Sequence, residues 1–122
     1  MASAVALMGV GLPAEQAVQL GFTVATIAGV GTAQSGGAAI GKNTFVNATT
    51  SAGQTSLVLP SSALIGDVII VACTTATTAL VFPQSGGAIQ GGSTDASFSV
   101  AQNKTAMFIK SSATAWRVIL SA

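Results

Sequence analysis

Residues 97–120 read SFSVAQNKTAMFIKSSATAWRVIL, and this stretch decides the fold class that the sequence predicts. In its first run polar and apolar residues alternate, which places Phe98 and Val100 on one face of a strand. Strands that recur about every 8–12 residues with small polar turns indicate an antiparallel sandwich or barrel. The predicted strands of this stretch are 97–100, 105–110 and 115–120.

The strand pattern extends back through most of the chain. The run from Val68 to Cys73 is apolar on both alternating faces, so we expect both faces of that strand to be covered. No long helical pattern follows residue 21, which weighs against an α/β fold. The sequence therefore predicts an all-β fold, a small antiparallel β-sandwich or jelly-roll-like body at 22–122. Its further short strands are predicted at 22–27, 44–46, 55–59 and 79–82.

Residues 1–21 are predicted to form a separate N-terminal arm. Pro13 suits the first position of a helix, Glu15 suits its positive end and Gly21 suits the position just past its end. The expected helix of about two turns is too short to persist unless it docks, and we predict that it docks on a neighbouring subunit. The residues predicted for that interface are Leu7, Met8, Leu12, Ala17, Leu20 and Phe22.

Charged residues are unusually scarce. Asp, Glu, Lys and Arg make up 6% of the 122 residues, against about 25% in average soluble proteins, and 50% are hydrophobic. Because a free monomer usually avoids large apolar patches, we expect much of the surface to be buried against other subunits. The few cationic residues are scattered, so the chain has no basic cluster for a phosphate backbone. We predict no nucleic-acid partner.

No segment has the length or composition of a membrane span. The longest uncharged apolar candidate, 68–82, is shorter than the roughly 20 residues that a membrane helix requires, and it contains several threonines. The apolar start of the chain lacks the Lys/Arg region of a signal peptide. The single cysteine, Cys73, is expected to be a core residue. We predict no membrane partner.

One segment approaches a phosphate-binding motif. Residues 36–43, GGAAIGKN, match a P-loop except at Asn43, which stands where the motif needs Ser or Thr for magnesium. A P-loop also opens a helix whose N-terminus helps to bind phosphate, whereas the run after Asn43 is typical of a strand. We therefore interpret the segment as a Gly/Ala-rich loop.

The residues that hydrolytic catalysis needs are mostly missing. The chain has no histidine, which removes Ser–His and Cys–His pairs and the commonest metal ligand. Lys42, Lys104 and Lys110 leave a Ser–Lys pair open, although none stands at Ser-x-x-Lys spacing. Trp116 and Phe108 could stack a sugar or base, but at alternating strand positions they favour a core or interface role.

The acidic residues and the remaining glycine-rich segment have structural interpretations. Asp67, Asp95 and Glu15 are far apart in sequence and suit a strand-entry turn, a loop and the first turn of a helix. The glycine-rich segment 85–92 could bind an anion through backbone amides, but it favours a connection between strands. We predict that the protein is not an enzyme, with no catalytic residues, no cofactor and no metal.

Two parts of the chain resemble virion proteins of tailed bacteriophages. Residues 7–17, LMGVGLPAEQA, resemble the N-terminal segment of small structural proteins of these phages. The second half resembles a β-rich module of head decoration (cement) proteins and of head or tail fibres, many of which are homotrimers. The motifs that carry this second resemblance are Leu59-Pro60, Gly66-Asp67-Val68, Leu80-Val81-Phe82-Pro83, Ser85-Gly86-Gly87-Ala88-Ile89, Ala106-Met107-Phe108 and Trp116.

The resemblance implies a homotrimeric structural protein that binds the assembled phage capsid and stabilises it. The implied partners are copies of the chain itself and the major capsid protein or another virion protein. The implied location is the capsid surface of the virion, after synthesis in the host cytoplasm. The alternative is a head-fibre, tail-fibre or spike subunit that contacts the host surface. A long fibre normally shows extended repeats or a heptad pattern, and this chain shows neither.

Overall fold

A computed structural model describes residues 23–121, and this part of the chain contains strands and no helix. The described part is therefore all-β, as the sequence predicts. The helix predicted within the arm, 1–21, lies outside the described residues. The predicted interface residues Leu7, Met8, Leu12, Ala17, Leu20 and Phe22 lie outside them as well.

Ten strands follow one another along residues 23–121. Three of them, at 79–82, 105–110 and 115–120, match the predicted runs residue for residue. In chain order the strands are β1 (Thr23–Ala28), β2 (Ala38–Ala39), β3 (Thr44–Thr49), β4 (Ser56–Val58), β5 (Val68–Cys73), β6 (Ala79–Phe82), β7 (Ala88–Ile89), β8 (Phe98–Val100), β9 (Thr105–Lys110) and β10 (Ala115–Leu120).

The strands from β1 to β6 alternate between two sheets, so the chain winds as a β-solenoid of about 4 turns. The first sheet has the order β1-β3-β5-β9-β10-β7, and its first three strands are parallel. The second sheet has the order β2-β4-β6-β8, and its first three strands are also parallel. Because β1, β3 and β5 begin at residues 23, 44 and 68, successive turns take 21 and 24 residues.

The predicted antiparallel β-sandwich or jelly roll is wrong. Short strands at regular spacing fit a stack of hairpins, and they fit equally a solenoid in which each strand crosses to the opposite sheet. The two folds differ in which strands pair. In a hairpin stack each strand pairs with the next strand in the chain, whereas here each parallel strand pairs with a strand that is one solenoid turn earlier or later. Val46 pairs with Ala25 on one side and with Val71 on the other. Parallel strands need a crossover connection, which the strands of the second sheet provide.

The chain reverses direction at its C-terminal end, where the predicted antiparallel pairing of 105–110 with 115–120 is confirmed and that of 97–100 with 105–110 is wrong, since these two strands lie in different sheets. β9 and β10 pair antiparallel, with Trp116 opposite Lys110. β9 also runs antiparallel to β5, and β8 runs antiparallel to β6, so the parallel stacking of turns stops here. The outermost strands at this end, β7 and β8, have two and three residues. Such short edge strands leave little unpaired backbone for another chain to join.

The hydrophobic core lies between the two sheets. Inward-facing residues alternate along each strand, and in β5 they include Val71 and Cys73, which are 0% and 1% exposed. The largest buried side chains are Trp116 and Phe108, both 0% exposed. Of the core and interface roles that the sequence leaves open for them, they take the core role. Burying a side chain such as Phe108 contributes roughly 1.5–3 kcal/mol.

Successive turns are also joined at the corners where the chain leaves the first sheet. A Cβ atom on Gly29 would lie 2.6 Å from the carbonyl oxygen of Gln54, so only glycine fits this approach. The Thr50 N–H donates to the hydroxyl of Thr75, one turn later, at 2.9 Å, and the Thr50 hydroxyl donates to the carbonyl of Thr77. Contacts at the corners therefore hold successive turns at a fixed spacing, in addition to the hydrogen bonds between the strands.

Candidate interaction surface

One row of outward-facing residues on the six-stranded sheet is apolar on every strand that it crosses. A shorter row beside it adds Val68 and Ile109, which pair with each other. We call the two rows together the apolar stripe. Strand pairing aligns the members of the first row in the order Val24, Phe45, Ile70, Met107 and Ile119, on β1, β3, β5, β9 and β10.

The apolar stripe is most accessible at its two ends. Val24 is 70% exposed and Ile119 is 62% exposed, whereas Phe45, Ile70 and Met107 are half-buried between their neighbours. The row spans roughly 19 Å, because strands in a sheet lie just under 5 Å apart. A continuous apolar surface on a soluble protein marks a site of interaction more often than scattered apolar residues do.

The rest of the same outer face is more polar. The next row along these strands holds Thr26, Asn47, Ala72 and Thr105, aligned by the same pairing. The outer face is thus divided into an apolar half and a more polar half, and the boundary runs across the strands, along the direction in which turns stack. The apolar stripe is therefore a bounded feature and not a general consequence of an apolar chain.

A loop at the start of β5 presents further apolar surface. Leu64 and Ile65 are each 67% exposed at its tip. The Leu64 N–H donates to Oδ2 of Asp67, and the Asp67 N–H donates to the Leu64 carbonyl, both at 2.9 Å. Gly66, at φ +93°, adopts the left-handed conformation that this turn needs, and its N–H donates to the Lys110 carbonyl. The tip is therefore held closed with its two apolar side chains outward.

Lys110 holds this loop from the interior. Its side chain is 5% exposed, and its Nζ donates to the Ala63 carbonyl at 2.8 Å and lies 5.8 Å from the centre of the Trp116 ring. Trp116 Nε1 in turn donates to Oε1 of Gln84 at 2.8 Å. A buried ammonium is costly unless it is hydrogen-bonded, and an aromatic face attracts it further. The contacts of Lys110 are therefore structural, since they tie the loop to β10.

The other candidate catalytic residues are not brought into pairs within residues 23–121. Lys42 and Lys104 lie on the turns that precede β3 and β9, and no serine hydroxyl in this range is hydrogen-bonded to a lysine Nζ. Asp67 lies directly before β5 and Asp95 lies in the loop after β7, as expected for turn and loop residues. No group of three or more His, Cys, Asp or Glu in this range could hold a metal ion.

The P-loop-like segment is part of the solenoid wall. Ala38–Ala39 forms β2, and the following turn leads into β3 without a helix. Ile40, in the middle of the motif, is 3% exposed and belongs to the core. The interpretation as a loop is therefore correct for the ends of the segment and wrong for its centre, which pairs with β4.

The glycine-rich segment 85–92 uses one of its backbone amides to bind a carboxylate of the chain itself. Gln34 Nε2 donates to Oδ1 of Asp95 at 3.0 Å, and the Gly86 N–H donates to the same oxygen at 2.7 Å. These two hydrogen bonds, from Gln34 first and Gly86 second, hold the pKa of Asp95 below its ordinary value. Gln34 Nε2 also donates to the Pro83 carbonyl at 2.8 Å, so three loops meet here.

Sequence reasoning does not single out the apolar stripe. Its signal is present in the run at 68–73, where Val68 and Ile70 point away from the side that carries Val71. Which residues flank them depends on strand pairing across a whole turn, and that pairing is what the sandwich prediction has wrong. The stripe becomes visible when β3, β5 and β9 are aligned.

No protein-family model matches the chain, and no curated protein matches its sequence. Within residues 23–121, no helix has the length and apolarity required to cross a membrane.

Proposed function

We propose that the protein is a structural virion protein of a tailed bacteriophage, which decorates and stabilises the capsid as a homo-oligomer. Its partners are copies of itself, in the trimer that the resemblance implies, and the major capsid protein or another virion protein. Its location is the capsid surface. The single observation that supports self-association best is the apolar stripe, since a free monomer would leave this stripe in water.

The size of the apolar stripe is compatible with self-association in solution. The five positions of the first row and the two of the second cover about 230 Å², and burying them with an equal area of the partner contributes roughly 12 kcal/mol before the costs of association. Association of two proteins costs about 4–15 kcal/mol in lost freedom, so one such contact supports an oligomer of modest stability. Many copies on one shell gain from multivalency, because each bound copy raises the effective concentration of the next contact.

Cosedimentation with capsids tests the proposal. Purified full-length protein is mixed with phage heads that lack it, and the amount that pellets is measured over a range of protein concentrations. We expect binding that saturates at a fixed number of copies per head. Bovine serum albumin at the same concentrations controls for trapping in the pellet. Protein that stays in the supernatant at every concentration would contradict the proposal.

A fibre or spike subunit is the second candidate, and the solenoid architecture favours it. Solenoids stack identical structural units along one axis and present extended faces to partners. The more polar half of the outer face, with Thr26, Asn47 and Thr105 in one row, offers hydroxyl and amide groups to a polar ligand such as a glycan. Binding of labelled protein to host cells or to a glycan array, without binding to heads, would favour this candidate.

A further inference from the structure

We infer that residues 1–22 of this chain pack along the apolar stripe and cover it. The inference deepens the proposed self-association by naming the segment that fills the contact. The inference depends on the proposed self-association in one respect, namely whether residues 1–22 come from the same subunit or from a neighbouring one.

The shape of the stripe suits a single segment better than a whole subunit. On β5 and β9, where both rows are present, the stripe is roughly 13 Å wide, whereas an α-helix with its side chains is about 10–12 Å across. A standard interface between two rigid proteins buries about 800 Å² on each side, roughly three times the area of the stripe. A narrow apolar stripe bordered by the row of Thr26 and Asn47 is therefore matched in width by one helix or one extended segment.

Residues 1–22 are mostly apolar, as the stripe is, and they are connected to the chain at one end of it. They carry one charged side chain, Glu15, and their apolar residues include Leu7, Met8, Leu12 and Leu20. The segment joins β1 beside Val24, which is one end of the stripe. Fully extended, 22 residues reach up to about 70 Å, several times the length of the stripe, so the segment can lie on its own subunit or on a neighbouring one.

The far end of the stripe carries a charge opposite to that of the segment. Arg117 lies on the outer face of β10 opposite Ile109, and it is exposed. It has no hydrogen bond or ion pair through its side chain to another residue of 23–121. Glu15 is the one carboxylate that the segment could bring to it. An exposed pair of this kind is weak, so its effect would be to orient the segment along the stripe.

Site-specific photo-cross-linking in the full-length protein tests the inference. p-Benzoylphenylalanine is placed at residue 45, where it replaces the aromatic Phe45 of the stripe, and in a second variant at residue 47. Asn47 is the matched control, since it lies two residues further on the same strand, in the more polar row. After irradiation, cross-linked peptides are identified by mass spectrometry. We expect position 45 to cross-link to peptides from residues 1–22 with a yield several-fold higher than position 47.

A charge exchange gives a second test with the probe kept at position 45. Arg117→Glu should lower the yield from position 45 by about two- to five-fold, the range that loss of a weak exposed pair allows, and Glu15→Arg in the same chain should restore it. Cross-links from position 45 only to residues 23–121, equal yields from both positions, or no cross-linked product would overturn the inference.

Mixing heavy-isotope and light-isotope chains separates this inference from the proposed function. Cross-links between chains would support both the inference and the proposed self-association. Cross-links within one chain would support the inference and would remove the stripe as a reason for self-association. The experiment therefore distinguishes failure of this inference from failure of the proposed self-association.

Discussion

Single residues set the close contacts between turns, and Gly29 gives the sharpest example. Its backbone lies against the Gln54 carbonyl on the next turn, where a Cβ atom would be only 2.6 Å from the oxygen. The φ of Gly29 is not in the left-handed region, so the requirement for glycine comes from space alone. The effect of adding one methyl group therefore reports on the packing of two turns.

Gly29→Ala is predicted to destabilise the protein by about 1–3 kcal/mol, because the backbone of the next turn must shift. Gly41→Ala is the matched control, since its nearest contact would be the Thr44 hydroxyl at an ordinary 3.5 Å. We expect the control to change the free energy of unfolding by no more than about 0.5 kcal/mol. Urea denaturation measures both. Equal effects of the two substitutions would show that the turns do not stack as described.

The lowered pKa of Asp95 predicts a loss of stability in acid. The folded protein favours the charged carboxylate, because Gln34 and Gly86 donate hydrogen bonds to it. Its contribution is therefore complete above the unfolded pKa of about 3.9 and is lost as the pH falls through the lower, folded value.

Asp95→Asn tests the contribution of the Asp95 charge to stability, because it removes the charge and keeps a residue that accepts the same backbone conformation. Asp95 has φ +64°, and asparagine tolerates this conformation as aspartate does. We expect the variant to melt at a lower temperature than the natural protein at pH 7, with the difference shrinking below about pH 4. Thermal unfolding followed by circular dichroism over pH 3–7 measures it, and a difference independent of pH would contradict the assignment.

Burial at the residue scale is largely predictable from the alternation of side chains along a strand. Phe108 and Trp116 are predicted as core or interface residues, and both are fully buried in the core. The same alternation places Lys110 on the inner face with Phe108, yet sequence reasoning leaves it among the candidate catalytic lysines. Its acceptor, the Ala63 carbonyl, lies 47 residues away in the chain, so no local pattern could reveal the hydrogen bond.

At the scale of elements, the sequence predicts where strands lie but not which strands pair. The runs at 105–110 and 115–120 are correct in position and in pairing, because a hairpin turn makes neighbours in sequence neighbours in space. β3 and β5 are also predicted, but their pairing depends on a connection that passes through the other sheet. The turns differ in length and hardly repeat one another's residues, so no internal repeat signals the solenoid.

The corner at Thr50 and Thr75 predicts a stability effect that belongs to the solenoid. Thr75→Val removes the acceptor of the Thr50 N–H while keeping a β-branched side chain of the same size. A partly buried backbone donor left unpaired costs about 1–3 kcal/mol. Thr78→Val is the control, because Thr78 is exposed in the same corner and its hydroxyl has no hydrogen bond to the described residues. Equal urea midpoints for the two variants would contradict the corner contact.

At the scale of the whole molecule, an almost charge-free chain forms a short solenoid with an apolar stripe along one outer face. The scarcity of charge and the β-rich class are predictable from composition and strand patterns. The position of the apolar surface is not, because the stripe arises only when Phe45, Ile70 and Met107 are aligned by parallel and antiparallel pairing across three turns. The predicted arm interface and the observed stripe are proposed to be the two sides of one contact.

Light scattering coupled to size-exclusion chromatography tests the central claim, that this protein is a self-associating subunit, most directly. The natural chain should elute with a mass of two or more times 11.8 kDa. Ile70→Thr with Met107→Thr should elute as a monomer, since the double variant makes the centre of the stripe polar and keeps residues of adequate strand propensity. Ala72→Thr, in the more polar row of the same strand, should keep the oligomeric mass. A monomeric natural chain, or a double variant with the mass of the natural oligomer, would contradict the claim.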